Sequence, residues 1–178
     1  MRDFFDRLAE PIKTKRLILR APMLDDVDIL CELANNVKIY EMLARLPHPY
    51  KEEHAIEFIN EIARTNNEHA YAITKKDGNL IGVMSFAKFL DKKIELGYWL
   101  GEPYWGKGYA SEAALGIINV AKATGICPPI VSRAISANKA SINVLKKCSF
   151  TIVDERIDDC GHHKGVSVTY LELNSELV

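Results

Sequence analysis

The 178-residue sequence contains no apolar run that approaches the roughly 20 residues of a membrane-spanning helix, so a membrane protein is not expected. It also has little net charge: 23 basic residues stand against 24 acidic ones, well mixed, for a balance of −1. Nucleic acid as a main ligand calls for a basic face, which this balance does not supply, whereas a small phosphorylated ligand remains compatible with it. Cys31, Cys127, Cys148 and Cys160 show no C-x-x-C spacing, which argues against a zinc knuckle or a redox pair and for reduced, mostly buried thiols. The opening Met1-Arg2-Asp3-Phe4-Phe5-Asp6 is acidic and has no signal-peptide core, so a cytoplasmic location is expected. No G-x-x-x-x-G-K-[ST] motif occurs, which leaves a nucleotide triphosphatase without support. Repeats, low-complexity tracts and linkers are absent too. One domain over residues 1–178 is the expectation, long enough to bury roughly 70% of its unfolded surface.

What is present is an ordinary globular composition, 48% hydrophobic and 26% charged. Residues 14–20 read as a strand, with Arg16 and Arg20 solvated or ion-paired. Asp25 and Asp26 suit an N-cap and first turn, followed by a short amphipathic helix on Val27, Leu30, Cys31 and Ala34. Residues 42–50, with Pro47 and Pro49, form a loop whose Leu43 and Leu46 either line a cleft or tuck into the core. Ala55, Phe58, Ile59, Ile62 and Ala63 mark a second helix face. Residues 69–74, 80–86 and 94–100 read as an antiparallel meander with turns at Asp77-Gly78 and Asp91-Lys92. A helix on Ala114, Leu115, Ile117, Ile118 and Ala121 follows, stopped by Gly125 to Pro129. A strand at 130–134, a helix at 138–148 and strands at 150–154 and 166–173 complete the chain. A mixed sheet with helices on both faces results.

The chain is organised around Glu95-Leu96-Gly97-Tyr98-Trp99-Leu100, a turn, then Trp105-Gly106-Lys107-Gly108-Tyr109-Ala110-Ser111-Glu112 at a helix start. Unpaired N–H groups at that helix end, beside two glycines, form a cradle for a diphosphate. The plain alternative is a glycine-rich turn without a ligand. A dinucleotide fingerprint fits poorly: the third glycine is replaced by Ser111, and Ile126 to Pro129 stand where an acidic ribose ligand belongs.

The ordered motifs together resemble the GNAT superfamily of acetyl-CoA-dependent N-acetyltransferases, and within it the Rim-type branch that acetylates ribosomal-protein N-termini. They are Thr14-x-Arg16-Leu17-x-Leu19-Arg20, Ile81-Gly82-Val83, residues 95–100, residues 104–113, Asn138-x-x-Ser141 and Phe150. The likeness implies an α/β (α+β) GNAT fold, a mostly antiparallel mixed sheet of six to seven strands, splayed between the fourth and fifth. It places the pyrophosphate loop on Trp105, Gly106, Lys107, Gly108, Tyr109 and Ala110, with Ser111 following. Trp105 stands where relatives carry Gln or Arg, a change of little consequence if backbone N–H groups do the binding. Trp99 and Leu100 would hold the pantetheine arm, and the backbone near Leu100 would supply an oxyanion donor.

Asn138 matches an asparagine near the thioester, and is equally a good N-cap. The implied chemistry is direct attack by a primary amine on the acetyl thioester in a ternary complex, which requires loss of a proton from the ammonium form. Glu95 is the candidate base, against the alternative of a strand carboxylate facing solvent. Where some relatives carry a tyrosine acid this chain has Leu145, leaving Tyr98 and Ser141 as candidate donors to the leaving thiolate. Ser141 can also be simply a first-turn residue. Ser149-Phe150 replaces a Gly-Phe, at a position where a left-handed residue favours Gly. Cys160, His162 and His163 read as a polar loop and not a metal site, and Lys107, Lys139 and Lys146 are candidates for phosphate contact or plain exposed lysines. The expected acceptor is a protein or peptide N-terminus, ribosomal or otherwise, on a monomer or homodimer. The alternatives are a small amine (polyamine, amino acid or aminoglycoside) or a non-catalytic acetyl-CoA sensor. Residues 42–50 and 158–164 would shape the acceptor side.

Overall fold

Strands buried on both faces at the centre, such as the fourth with eight successive buried residues, build a sheet whose order is β1-β2-β3-β4-β5-β6-β8-β7. In the computed structural model, which describes residues 2–158 and 164–174, the strands are β1 (Ile12–Lys13), β2 (Leu17–Arg20), β3 (Glu68–Lys75), β4 (Leu80–Lys88), β5 (Ile94–Leu100), β6 (Ile130–Ile135), β7 (Phe150–Ile157) and β8 (Ser167–Leu173). The helices are α1 (Arg2–Asp6), α2 (Val27–Ala34), α3 (Val37–Tyr40), α4 (Glu52–Glu57), α5 (Tyr109–Ala123) and α6 (Lys139–Lys147). A wider π turn, Phe58–Ile62, continues α4.

The sheet divides the core into two layers. On one face α1, α5 and α6 cover Leu17, Leu19, Tyr71, Met84, Phe86 and Leu96. Ala110, Ala113, Ala114, Ile117, Ile118 and Ala121 of α5 are all buried, and the small residues let the helix lie close to the strands. On the other face Leu30, Leu33, Ala55 and Ala63 pack on Ala70, Ala72 and Val83.

All neighbouring strands run antiparallel except β5 and β6. Those two share only the register pairs Ile94↔Ile130 and Glu95↔Val131. β5 goes on pairing with β4 as far as Leu100↔Gly82, while β6 goes on with β8. The strands therefore part after Glu95, and Ser132 Oγ donates to the Leu96 carbonyl at 2.8 Å to pin the vertex of the wedge. This is the splay expected between the fourth and fifth strands, counted without β1.

The sheet has eight strands where six to seven were expected. The extra one, β1, pairs two residues with β2 and is too short to leave a sequence period. The expected strand at 14–20 starts at Leu17, because Thr14 forms the turn: Leu17 N–H donates to Thr14 Oγ1 at 3.0 Å. Asp25 and Asp26 lie in a 3₁₀ turn ahead of α2. The Asp26 carboxylate accepts from Met23 N–H at 2.8 Å and from both Arg20 Nη atoms at 2.7 and 2.8 Å. Ser149 takes φ 66°, the left-handed turn that the sequence fills with Gly in relatives.

Candidate active site

The phosphate cradle is built by the turn before α5. Gly108 is the N-cap at φ 77°, no side chain caps the helix, and Gly106 is also left-handed at φ 72°. The first N–H groups of the helix therefore stay available and carry the positive end of its dipole. A Cβ on Gly108 would lie at ordinary contact distance, 3.5 Å, from Arg16 Nη2, so it is the left-handed φ and not crowding that favours glycine here. Behind the turn stands a brace the sequence did not announce. Glu112 accepts from Thr14 Oγ1, Arg16 N and Arg16 Nε, each at 2.6 Å. Arg16 Nη1 donates to the Lys107 carbonyl at 2.9 Å, and its guanidinium lies 4.5 Å over the Tyr109 ring. Burial opposes the Glu112 charge, yet the Thr14 and Arg16 hydrogen bonds hold its carboxyl below the usual range. The first and third positions of the Thr14-x-Arg16 motif thus shape a loop about 90 residues away in the chain.

A cavity of about 890 Å³ runs from this turn through the wedge to the opposite face of the sheet. Trp99, Leu100, Trp105, Gly106, Gly108, Tyr109, Ala110, Ser111 and Asn138 all line it, as do Glu95, Tyr98 and Ser141. Lys107 does not, although its carbonyl is part of the brace, and Lys139 and Lys146 do not either, whereas Lys147 does. Trp105 Nε1 donates to the Leu100 carbonyl at 2.7 Å, folding the indole back over the end of β5. Cys160, His162 and His163 lie outside the described residues, as does most of 158–164.

On the α6 side Asn138 is an N-cap: its Oδ1 accepts from Ser141 N–H at 3.0 Å. Ser141 Oγ and Tyr98 Oη are 2.8 Å apart, with either hydroxyl able to donate, and Tyr98 also reaches the Ser141 carbonyl at 3.3 Å. Burial pushes the Tyr98 phenol up to about 12, against the opposing Ser141 hydrogen bond, so it stays protonated at neutral pH. The two candidate proton donors form one hydroxyl pair.

On the opposite face Glu95 meets Arg133, a strand residue that no motif of the sequence marks. Arg133 Nε donates to Glu95 Oε1 at 2.7 Å and Nη2 to Oε2 at 3.0 Å. Burial works against the Arg133 charge, but the Glu95 carboxylate raises its pKa above the ordinary arginine value. The cavity here is walled by the 42–50 loop, with Met42, Leu43 and Leu46, and by Phe58 and Ile62. Glu68, one residue ahead of the strand as read from the sequence, lines it too.

Residues 16–151 match the Acetyltransferase (GNAT) domain family. The chain is 29% identical over 147 residues to the uncharacterized N-acetyltransferase p20 of Bacillus licheniformis, covering 79% of this chain and 82% of that one. It shares its fold with the Microcin C7 self immunity acetyltransferase MccE, solved with acetyl-CoA and AMP, at TM-score 0.80 and 20% identity over 94% of this chain and 98% of that one. It likewise resembles RimL, a ribosomal L7/L12 alpha-N-protein acetyltransferase solved with coenzyme A, at TM-score 0.80 and 21% identity over 91% of this chain and 95% of that one. With its wedge, its glycine turn and the cavity between them, this chain belongs to the GNAT acetyltransferase family.

Proposed function

We propose that this acetyltransferase acts on the primary amine of a protein or peptide N-terminus, within one domain spanning residues 1–178. The observation that carries this reading is the cavity that pierces the sheet between β5 and β6. One mouth lies at the cradle of Gly106 and Gly108, and the other lies among Glu68, Glu95 and the 42–50 loop. Acetyl-CoA enters from the α5 face, its diphosphate on the N–H groups of Tyr109, Ala110 and Ser111. Its thioester lies along Trp99 and Leu100, and the amine approaches from the far face.

Attack forms the C–N bond, and collapse of the tetrahedral intermediate breaks the C–S bond. The Tyr98–Ser141 pair donates a proton toward the departing thiolate. That thiolate has a pKa near 8.5, so the donation helps without being indispensable. Glu95, expected as base, has both oxygens already taken by Arg133. A carboxylate satisfied in this bidentate way is better suited to steering a cation than to accepting its proton. We assign Glu95 a positioning role with Arg133 in the acceptor half.

Thiol release from acetyl-CoA tests the proposal against peptides starting with Ala, Ser or Met, and against spermidine, free amino acids and an aminoglycoside. Release with the peptides is the predicted result. Release with a small amine alone would reassign the acceptor. Silence with every amine, with acetyl-CoA binding intact, would point to a sensor or to a folded-protein acceptor.

A further inference from the structure

We infer that Glu68 is the carboxylate that receives the acceptor's ammonium and takes its proton, an assignment that rests on the amine-acetyltransferase reading above. The strand register sets Glu68 directly across from Ala87, and Ala87 across from Glu95. The two carboxylates therefore rise from the same face of the sheet with one strand between them, about 10 Å apart at the backbone. The ground between them is low. Ala87, Ser85 and Gly97 form it, and Ser85 and Gly97 are themselves register partners. A Cβ on Gly97 would meet nothing closer than Ser85 Oγ at 3.9 Å, so the missing side chain answers no packing demand and leaves a trench open.

The two carboxylates differ in what holds them. Glu95 is fully engaged by Arg133. Glu68 Oε1 accepts one hydrogen bond, from Ser85 Oγ at 2.8 Å, and among the described residues no cation pairs with it. Ser85 is buried and ties down Oε1, no hydrogen bond to Oε2 is found among the described residues, and both residues line the cavity. Phe58 and Ile62 also line this cavity. An ionised carboxylate with an open oxygen, in a cavity shared with the thioester site, attracts a primary ammonium. It then serves as the base that makes the nitrogen nucleophilic.

The step balances as follows. The ammonium gives one proton to Glu68, and the free amine adds to the thioester carbonyl. The C–S bond breaks, and the nitrogen's second proton leaves with the thiolate by way of the Tyr98–Ser141 hydroxyls. Glu68 returns its proton to solvent. The products are the amide, the free thiol and one proton.

The test compares wild type with Glu68→Gln, which keeps the shape and an acceptor for Ser85. The acceptor KM is expected to rise at least tenfold while the acetyl-CoA KM stays unchanged. The pH profile of kcat/KM for the amine should also change form. Wild type should level off below the amine's own pKa, whereas the variant should climb about tenfold per pH unit up to it, because only free amine can then react. An acceptor KM and pH profile equal to wild type would overturn the inference. A second readout does not need turnover: calorimetric titration of spermidine and of an alanine-initiated hexapeptide into the coenzyme A-bound protein. Binding to wild type that Glu68→Gln weakens tenfold supports the Glu68 site, even if wild type releases no thiol and the amine-transfer reading falls. Equal binding to both proteins, or none to wild type, overturns it.

Discussion

The two mouths of the cavity are made in different ways. The proposed coenzyme side is backbone: N–H groups at the start of α5, presented by two left-handed glycines and braced from behind by Thr14, Arg16 and Glu112. The acceptor side is side chains, Glu68 with Ser85, Glu95 with Arg133, and the apolar wall of residues 42–50. A backbone site demands particular residues at a few adjacent positions and is the same for every user of acetyl-CoA. A side-chain site can be rewritten one residue at a time to suit the acceptor. The contrast places shared chemistry on one face of the sheet and specificity on the other.

The largest expected effect falls on the backbone site. Gly108→Glu puts a strained φ, a side chain and a negative charge at the turn proposed to hold the diphosphate. Acetyl-CoA affinity should fall at least about a hundredfold, equivalent to about 2.7 kcal/mol, with circular dichroism unchanged. Retained affinity would break the contrast at its stronger end. Next, Tyr98→Phe removes the donor between the two sides. We expect kcat to drop about tenfold, modest beside the upper range for general acids because the thiolate leaves readily. Neither KM should move. Wild-type kcat should show no loss of this donor up to about pH 10, since the phenol is pushed up to about 12.

A smaller effect is expected from Glu112→Gln, which keeps the shape of the brace and removes its charge. The acetyl-CoA KM should rise a few-fold and the Tm fall by about 4 °C, from about 1–2 kcal/mol of charge-assisted hydrogen bonding. The folded pKa of Glu112 lies below its ordinary value. Its stabilisation is therefore present above that ordinary value and is lost as pH falls through the folded pKa. Melting curves from pH 7 downward should show the gap between the two proteins closing only on the acid side of the ordinary glutamate range. The smallest effect lies away from both mouths. Ser149→Gly relieves a left-handed serine and should stabilise the fold by about 1 kcal/mol, read as a raised Tm with unaltered kinetics.

The same division decided what could be read from the sequence. The coenzyme side was legible because Gly106, Gly108 and the apolar helix after them are adjacent in the chain. Seven strands were legible from apolar runs, and the wedge from the family resemblance. The acceptor side was not, because it is assembled across strands. Arg133 lay in a strand recognised as such, but nothing local in the sequence pairs it with Glu95. Glu68 fell one residue outside the strand read at 69–74. The available signal was the small-residue alternation Glu68, Ala70, Ala72, which sets Glu68 on the face that carries Ser85 and Gly97. β1 is too short for a period to show. α1 was missed because Asp3 and Asp6 mask Phe4 and Phe5, which are buried.

Calorimetric titration of acetyl-CoA into wild type, Gly108→Glu and Glu68→Gln is the most direct test of a coenzyme site on one face and an acceptor site on the other. The account predicts equal, tight binding to wild type and Glu68→Gln and binding at least about a hundredfold weaker to Gly108→Glu. Wild-type affinity retained in Gly108→Glu, or binding that disappears with Glu68→Gln in a folded protein, would contradict it.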